Sequence, residues 1–147
     1  MISSPRGLKL RFWQRLTLAG ICLGLIGGFT LATQVTPDSR GFGTHQQFGL
    51  PPCSFQIMFS LPCPSCGGTT SFAHFVRGEW GQSIRSNVGA FLLALVCLFS
   101  IPWTACSAWQ GRLLQIQSPV PVLLGVLVTI SGAAGIQWLQ RLLSETF

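Results

Sequence analysis

Charge is what this 147-residue chain has least of. It carries nine Lys and Arg and three Asp and Glu, 8% charged residues in all, against roughly 25% in an ordinary soluble domain. A soluble fold of this length needs more charge to stay in water, whereas a chain that places its surface in lipid needs less. The formal charge of +6 arises mostly from the scarcity of acids, since Asp38, Glu79 and Glu145 are the full set. The basic residues flank apolar blocks instead of forming a patch, which argues against nucleic acid as a partner and for the lipid bilayer. Tyr is absent, so no phenol serves as an acid or donor. There is no Ser/His/Asp set, no pair of carboxylates, and no glycine loop with the Lys that a phosphate cradle needs. The length fits one domain, 1–147.

What the chain does have is three long apolar blocks, at about residues 16–35, 88–106 and 120–139. Each approaches the ~20 residues a helix needs to cross the hydrocarbon core. The expectation is an all-α membrane fold with three transmembrane helices. The basic start and apolar centre of the first block also fit a secretory signal. Its run is longer than a signal core, however, and Leu31-Ala32-Thr33 makes a poor cleavage site, so a retained anchor is favoured. Pro102 sits inside the second block, and Pro119 and Pro121 open the third, where a missing backbone donor is tolerated. Gly125, Gly132 and Gly135 with Ala133 and Ala134, and Gly24 to Gly28 in the first block, offer small surfaces for close helix contact. The blocks hold no internal charge to mark an ion path, which weighs against a channel or transporter.

Arg6, Lys9, Arg11 and Arg15 crowd ahead of the first block. That density predicts an N-terminus in the cytoplasm, with Arg112 on the same side. Arg40, Arg77, Arg85, Arg141 and the C-terminus then fall outside, although Arg77 and Arg85 lie close to the second block and pull the other way. The expectation is an integral membrane protein with its N-terminus in the cytoplasm.

Between Arg40 and Arg77 no residue is formally charged, and in the middle stands Cys63-Pro64-Ser65-Cys66-Gly67-Gly68-Thr69-Thr70. Within the motif segment, about 49–87, Phe55 to Leu61 is apolar, Pro62 to Gly68 interrupts any helix, and Thr69 to Arg77 is helix-compatible. Such a helix places Phe72, Phe75 and Val76 on one side and Thr70, His74 and Arg77 on the other. The pattern predicts an interfacial or re-entrant segment between the first two spans, or a loop lying on the helices. Non-helical backbone at that depth must pack on protein or face water.

Three chemistries fit the cysteines. As a redox pair, Cys63 and Cys66 are the catalytic candidates, with a thiolate favoured at a helix N-terminus whose first position is Pro64. Gly67-Gly68 weakens that helix. As a zinc site, Cys53, Cys63, Cys66 and His74 are the candidate ligands, with His45 on the same side, but a second C-x-x-C is missing. As a structural element, a disulfide or buried thiols staple the segment, which an oxidising compartment favours; a Cys53 bridge to Cys63 or Cys66 closes a useful loop, whereas a Cys63–Cys66 bridge closes a tight one that is easier to reduce. Cys22, Cys97 and Cys106 read as small apolar fillers in the spans. Asn87 opens the second helix as an N-cap, and Arg77, Glu79 and Arg85 read as interfacial anchors.

The run Cys63-Pro64-Ser65-Cys66-Gly67-Gly68-Thr69-Thr70, followed by Arg77-Gly78 and Asn87 before an apolar helix, resembles an uncharacterised family of small bacterial integral membrane proteins. That family's pattern is C-P-x-C-G-x-T-R, then R-G, then Asn before a hydrophobic helix. The resemblance covers roughly 49–99. It implies a bacterial membrane location, a multi-span fold, and Cys53, Cys63, Pro64, Cys66, Gly67, Thr69, Arg77, Gly78 and Asn87 as motif or structural positions. Thr70 stands where the family commonly has Arg, which removes any anion-binding role at that position. The resemblance implies no activity. The reading favoured is an accessory or interaction protein with a structural cysteine site and other membrane proteins as partners. The alternatives are a membrane thiol-disulfide oxidoreductase using Cys63 and Cys66, or a zinc-binding membrane module.

Overall fold

The computed structural model describes residues 7–114 and 118–145. Arg6, the middle of the connection before the third span, and the C-terminal residue lie outside the described residues. Three helices are long and apolar enough to cross a membrane: α1 (Phe12–Gln34), α5 (Val88–Gln110) and α6 (Pro119–Glu145). Their 23 residues or more correspond to about 35 Å or longer at ~1.5 Å per residue, enough for a ~30 Å hydrocarbon core. The chain is thus an all-α membrane protein by composition and architecture. The helices outrun the apolar blocks, because their end turns are completed by polar groups. The backbone N–H of Arg11 donates to Gln14 Oε1 at 2.8 Å at the start of α1, and α5 runs through Pro102 to stop at Gly111, whose φ is 65°.

Between α1 and α5 the chain folds into short pieces: a 3-10 turn (Thr44–Phe48), α2 (Ser54–Phe59), α3 (Gly68–Phe75) and α4 (Trp80–Ser86). Together they form a cap at one end of the spans. At the other end lies an element too short for periodicity to reveal. Strand β1 (Gly7–Lys9) pairs antiparallel with β2 (Arg112–Leu114), matching Leu8 to Leu113. The N-terminus of α1, the C-terminus of α5 and the start of α6 therefore share the ribbon end, and the end of α6 returns to the cap.

Helix α5 is central, packing on α1 on one side and α6 on the other, while α1 and α6 do not meet among the described residues. The closest approach is at Gly89, where a Cβ would lie 2.7 Å from that of Ala134. Small residues thus serve the α5–α6 contact, but at Gly89 and Ala134. Gly24, Gly28, Gly125, Gly132 and Gly135 have open space where a side chain would go, so the close helix contacts expected of them do not form within this chain. Gly24, Gly28 and Gly135 instead line an apolar groove of about 790 Å³ between α1 and α6.

Burial is inverted relative to a soluble fold. The spans expose Leu23, Leu31, Phe99, Leu123 and Val128, which is what lipid contact calls for. The largest fully buried side chains are Thr44, Thr70, Ser71, Ser83 and Ser107, all hydroxyls with partners of their own. Four of these five lie in the cap. Ser71 Oγ meets Ser83 Oγ at 2.9 Å, Ser83 Oγ donates to the Ser71 carbonyl at 2.8 Å, and Ser71 Oγ reaches the Asn87 carbonyl at 3.1 Å. Thr44 Oγ1 bonds Thr70 Oγ1 at 2.8 Å.

The scarce cations close helix ends. The last carbonyls of a helix have no partner within it, and a guanidinium both donates to them and meets the negative end of the dipole. Arg15 Nε donates to the Ala108 carbonyl at the end of α5 at 2.8 Å. Arg77 Nη2 donates to the Val35 carbonyl, just past α1, at 2.6 Å, and its Nη1 to that of Ala32 at 3.3 Å. Arg141 Nη2 donates to the Arg85 and Ser86 carbonyls at the end of α4, at 2.8 and 2.6 Å.

Candidate functional site

The motif begins as a turn. The N–H of Cys66 donates to the Cys63 carbonyl at 2.9 Å, and that of Gly68 to the Ser65 carbonyl at 3.0 Å. Gly67, with φ 84°, is the residue before α3. Pro64 is therefore inside the turn and not at a first helical position, and neither Cys63 nor Cys66 stands at a helix N-terminus. The redox geometry expected of that pair is absent, because two glycines start the helix here instead of interrupting it.

Gly67 is there for room as well as for its left-handed φ. A Cβ would lie 2.6 Å from the Gly41 carbonyl oxygen and closer still to that of Ser86. Three side chains from the spans hold the turn. Asn87 accepts from the N–H of Ala90 at 2.8 Å, capping α5, and its Nδ2 donates to the Pro64 and Cys66 carbonyls, each at 3.1 Å. Trp138 Nε1 donates to the Pro62 carbonyl at 2.6 Å, and Arg141 Nη1 to that of Cys66 at 3.4 Å. Gln137 Oε1 accepts from the N–H of Val88 at 2.7 Å, and its Nε2 donates to the Ile84 carbonyl at 2.9 Å. These α6 contacts were not foreseen. The available signal was Gln137, a polar residue just inside the third apolar block.

The rest of the motif is equally engaged. Both faces of α3 are occupied: Phe72 and Phe75 each lie 6.1 Å from Phe29 of α1, while Thr70 meets Thr44, His74 Nδ1 meets Glu79 Oε2, and Arg77 reaches α1. Gly78, with φ 75°, turns the chain out of α3. Thr69 is exposed and lines the apolar groove. Arg85 shows no bonded partner for its guanidinium among the described residues.

The thiols sort differently from the sequence expectation. All six cysteines are free. Cys53 is the residue before α2, and its thiol is lowered from the ordinary 9.0, chiefly by the backbone amide of Gln56 and then by the adjacent Cys63 side chain. A thiolate at a helix start is stabilised by unpaired amides. Cys66 is buried, and loss of water pushes its thiol up, with the neighbouring Cys63 and Cys53 adding to the shift. The neighbouring pair is therefore Cys53 and Cys63. Among the described residues no three His, Cys, Asp or Glu side chains gather so as to hold a metal ion, and His74 is turned to Glu79.

A family model described as a protein of unknown function (DUF2752) matches residues 53–101, a third of the chain, from Cys53 through the motif into the middle of α5. No curated protein and no solved structure matches.

Proposed function

We propose that this chain, matched over its cap and second span by a family of unknown function, is an accessory protein of a bacterial inner membrane whose cysteines are structural. The observation that supports this is where the motif side chains direct their hydrogen bonds. Asn87, Arg77 and Arg141 each bind backbone carbonyls of the protein itself, which holds a shape and leaves few groups for chemistry. In this reading Cys53 and Cys63 are free thiols held close to each other on either side of α2, and Cys66 is a buried filler. The exposed apolar residues of α2, Ile57 and Met58 at 65% and 74%, suit insertion at the bilayer interface or contact with another membrane protein. In this reading the segment is interfacial.

One experiment separates the chemistries. On detergent-purified protein, alkylation across pH 6–10 followed by mass spectrometry reads each thiol. Cys53 gains reactivity at lower pH than Cys66, because the thiolate is the nucleophile and their shifts have opposite signs. Cys66 stays protonated as pH passes 9. Cys53→Ser and Cys63→Ser are expected to lower stability or yield. A second reading rests on the same thiol pair. A Cys53 thiolate attacks a substrate disulfide to give a mixed disulfide, and the Cys63 thiol, losing its proton, resolves it, leaving a Cys53–Cys63 disulfide and a reduced dithiol. Turnover of a dithiol or disulfide substrate that either Ser variant abolishes would establish that reading and end the structural one.

The N-terminus is assigned to the cytoplasm. Lys9, Arg11, Arg15 and Arg112 lie close to the span ends at the ribbon, while Arg40, Arg77, Arg85 and Arg141 are spread over the longer cap and the end of α6; the density of basic residues before α1 favours this assignment. Reporter fusions at residue 147 and within 41–47 are expected to report the outer compartment, and cytoplasmic activity at both would reverse the assignment.

A further inference from the structure

The cap holds a second cavity, of about 720 Å³, that shares no lining residue with the apolar groove. Its walls bring together side chains that are far apart in sequence: Arg40 from the loop after α1, His74 from α3, Gln82 and Arg85 from α4, and Arg141 from α6. One carboxylate lines it, Asp38, and that group is already bound by Arg40, with Nη2 to Oδ2 at 2.7 Å. His74 faces Glu79, which is not part of the lining. Arg85 is exposed and unpaired among the described residues. Arg141 places Nη1 and Nη2 on the carbonyls of Cys66, Arg85 and Ser86. A guanidinium has five N–H donors, so further donors of Arg141, its Nε–H among them, stay available.

The geometry points to an anion-binding site in this cavity, taking a phosphate group. Three guanidinium groups face one carboxylate in a chain that has only nine Lys and Arg, and the two that lack a carboxylate partner among the described residues, Arg85 and Arg141, come from different elements that the fold brings to one wall. The planar donor fork of Arg matches phosphate oxygens in pairs, and a recess with low-dielectric walls concentrates the field of such charges. The volume lies within the range of small-molecule sites, ~300–1,000 Å³. The cavity sits at the cap end of the spans, where a chain that crosses the ~30 Å hydrocarbon core reaches the polar headgroup region. The phosphate therefore has two available sources, an anionic phospholipid headgroup or a soluble phosphate. The proposal is independent of what Cys53 and Cys63 do.

The test uses the full chain in detergent, titrated calorimetrically with inorganic phosphate and separately with short-chain phosphatidylglycerol. Arg85→Gln is the informative variant, because Arg85 makes no contact that the fold needs, whereas Arg141 also closes α4. Binding to the wild type that weakens about tenfold or more in Arg85→Gln, and is unchanged in Lys9→Gln at the ribbon end, supports the site. Binding of phosphate assigns a soluble ligand, and binding of the lipid alone assigns a headgroup. Absence of both from the wild type would overturn the proposal. Equal affinity in Arg85→Gln, or an equal loss in Lys9→Gln, would do so as well, the last by showing unspecific attraction to net charge.

Discussion

Gly67→Ala is expected to dismantle the cap, at a cost of about 2–5 kcal/mol, while Gly68→Ala one residue later changes stability by about 1 kcal/mol or less. At Gly67 two penalties add. An alanine at φ 84° enters the left-handed region, which costs roughly 1–2 kcal/mol, and its methyl meets the carbonyl oxygens of Gly41 and Ser86, backbone atoms that cannot rotate aside. Overpacking of that kind costs about 1–3 kcal/mol. At Gly68 a Cβ would lie 3.9 Å from that of Ala90, an ordinary contact, in a helical residue, where alanine is intrinsically preferred to glycine. Thermal unfolding of the purified variants reads the difference, and alkylation of Cys66 reports whether the turn has opened. Matching melts for wild type and Gly67→Ala would show that the turn is not held as described.

Asn87 carries the second large effect. Asn87→Ala removes the N-cap of α5 together with the donors to the Pro64 and Cys66 carbonyls, and the residue is 3% exposed. Loss of a cap costs about 1 kcal/mol; the Cys66 carbonyl keeps Arg141, and the Pro64 carbonyl, left unpaired, costs about 1–3 kcal/mol, so a loss of about 2–4 kcal/mol is expected. Asn87→Asp separates the two roles. A carboxylate still accepts from the N–H of Ala90 but has nothing to donate, and it faces two carbonyl oxygens. The Asp variant is expected to be no more stable than the Ala variant. Near-wild-type stability of Asn87→Asp, measured by the same melt, would mean that capping alone matters and that the turn is held by other contacts.

The contrast between neighbouring glycines shows where sequence reasoning stops. The spans were legible because a long uncharged run states its environment without any knowledge of its neighbours. Asn87 as a cap and Phe72 with Phe75 as one face were legible because capping and helical spacing are local. Nothing local distinguishes Gly67 from Gly68, since the obstacle is the backbone of Gly41 and Ser86. Which of the open thiol pairings brings two side chains together was hidden for a related reason. Two residues in C-x-x-C spacing invite a pair, yet Cys66 is buried beneath Asn87 and Arg141, and the start of α2, not of α3, brings unpaired amides to a thiol. The ribbon of β1 and β2 escaped notice because three residues per strand carry no period. The hydroxyl core escaped it because Ser and Thr read as surface residues until their partners across the cap are known.

Helix α6 supplies Gln137, Trp138 and Arg141 to groups on Val88, Pro62, Ser86 and Cys66, and it is synthesised after α1, α5 and the cap. Until it inserts, the N–H of Val88 and the carbonyls of Pro62 and Ser86 lack these partners, so an intermediate with only α1 and α5 in the bilayer has an unfinished cap. Chains are made and folded from the N-terminus, which gives α6 the part of a latch on the cap made before it. A product that stops before Pro119 has two spans, with the motif complete in sequence and open in structure. Such a product is the form that membrane proteases and chaperones would meet, and maturation of the cap is thereby tied to the arrival of α6.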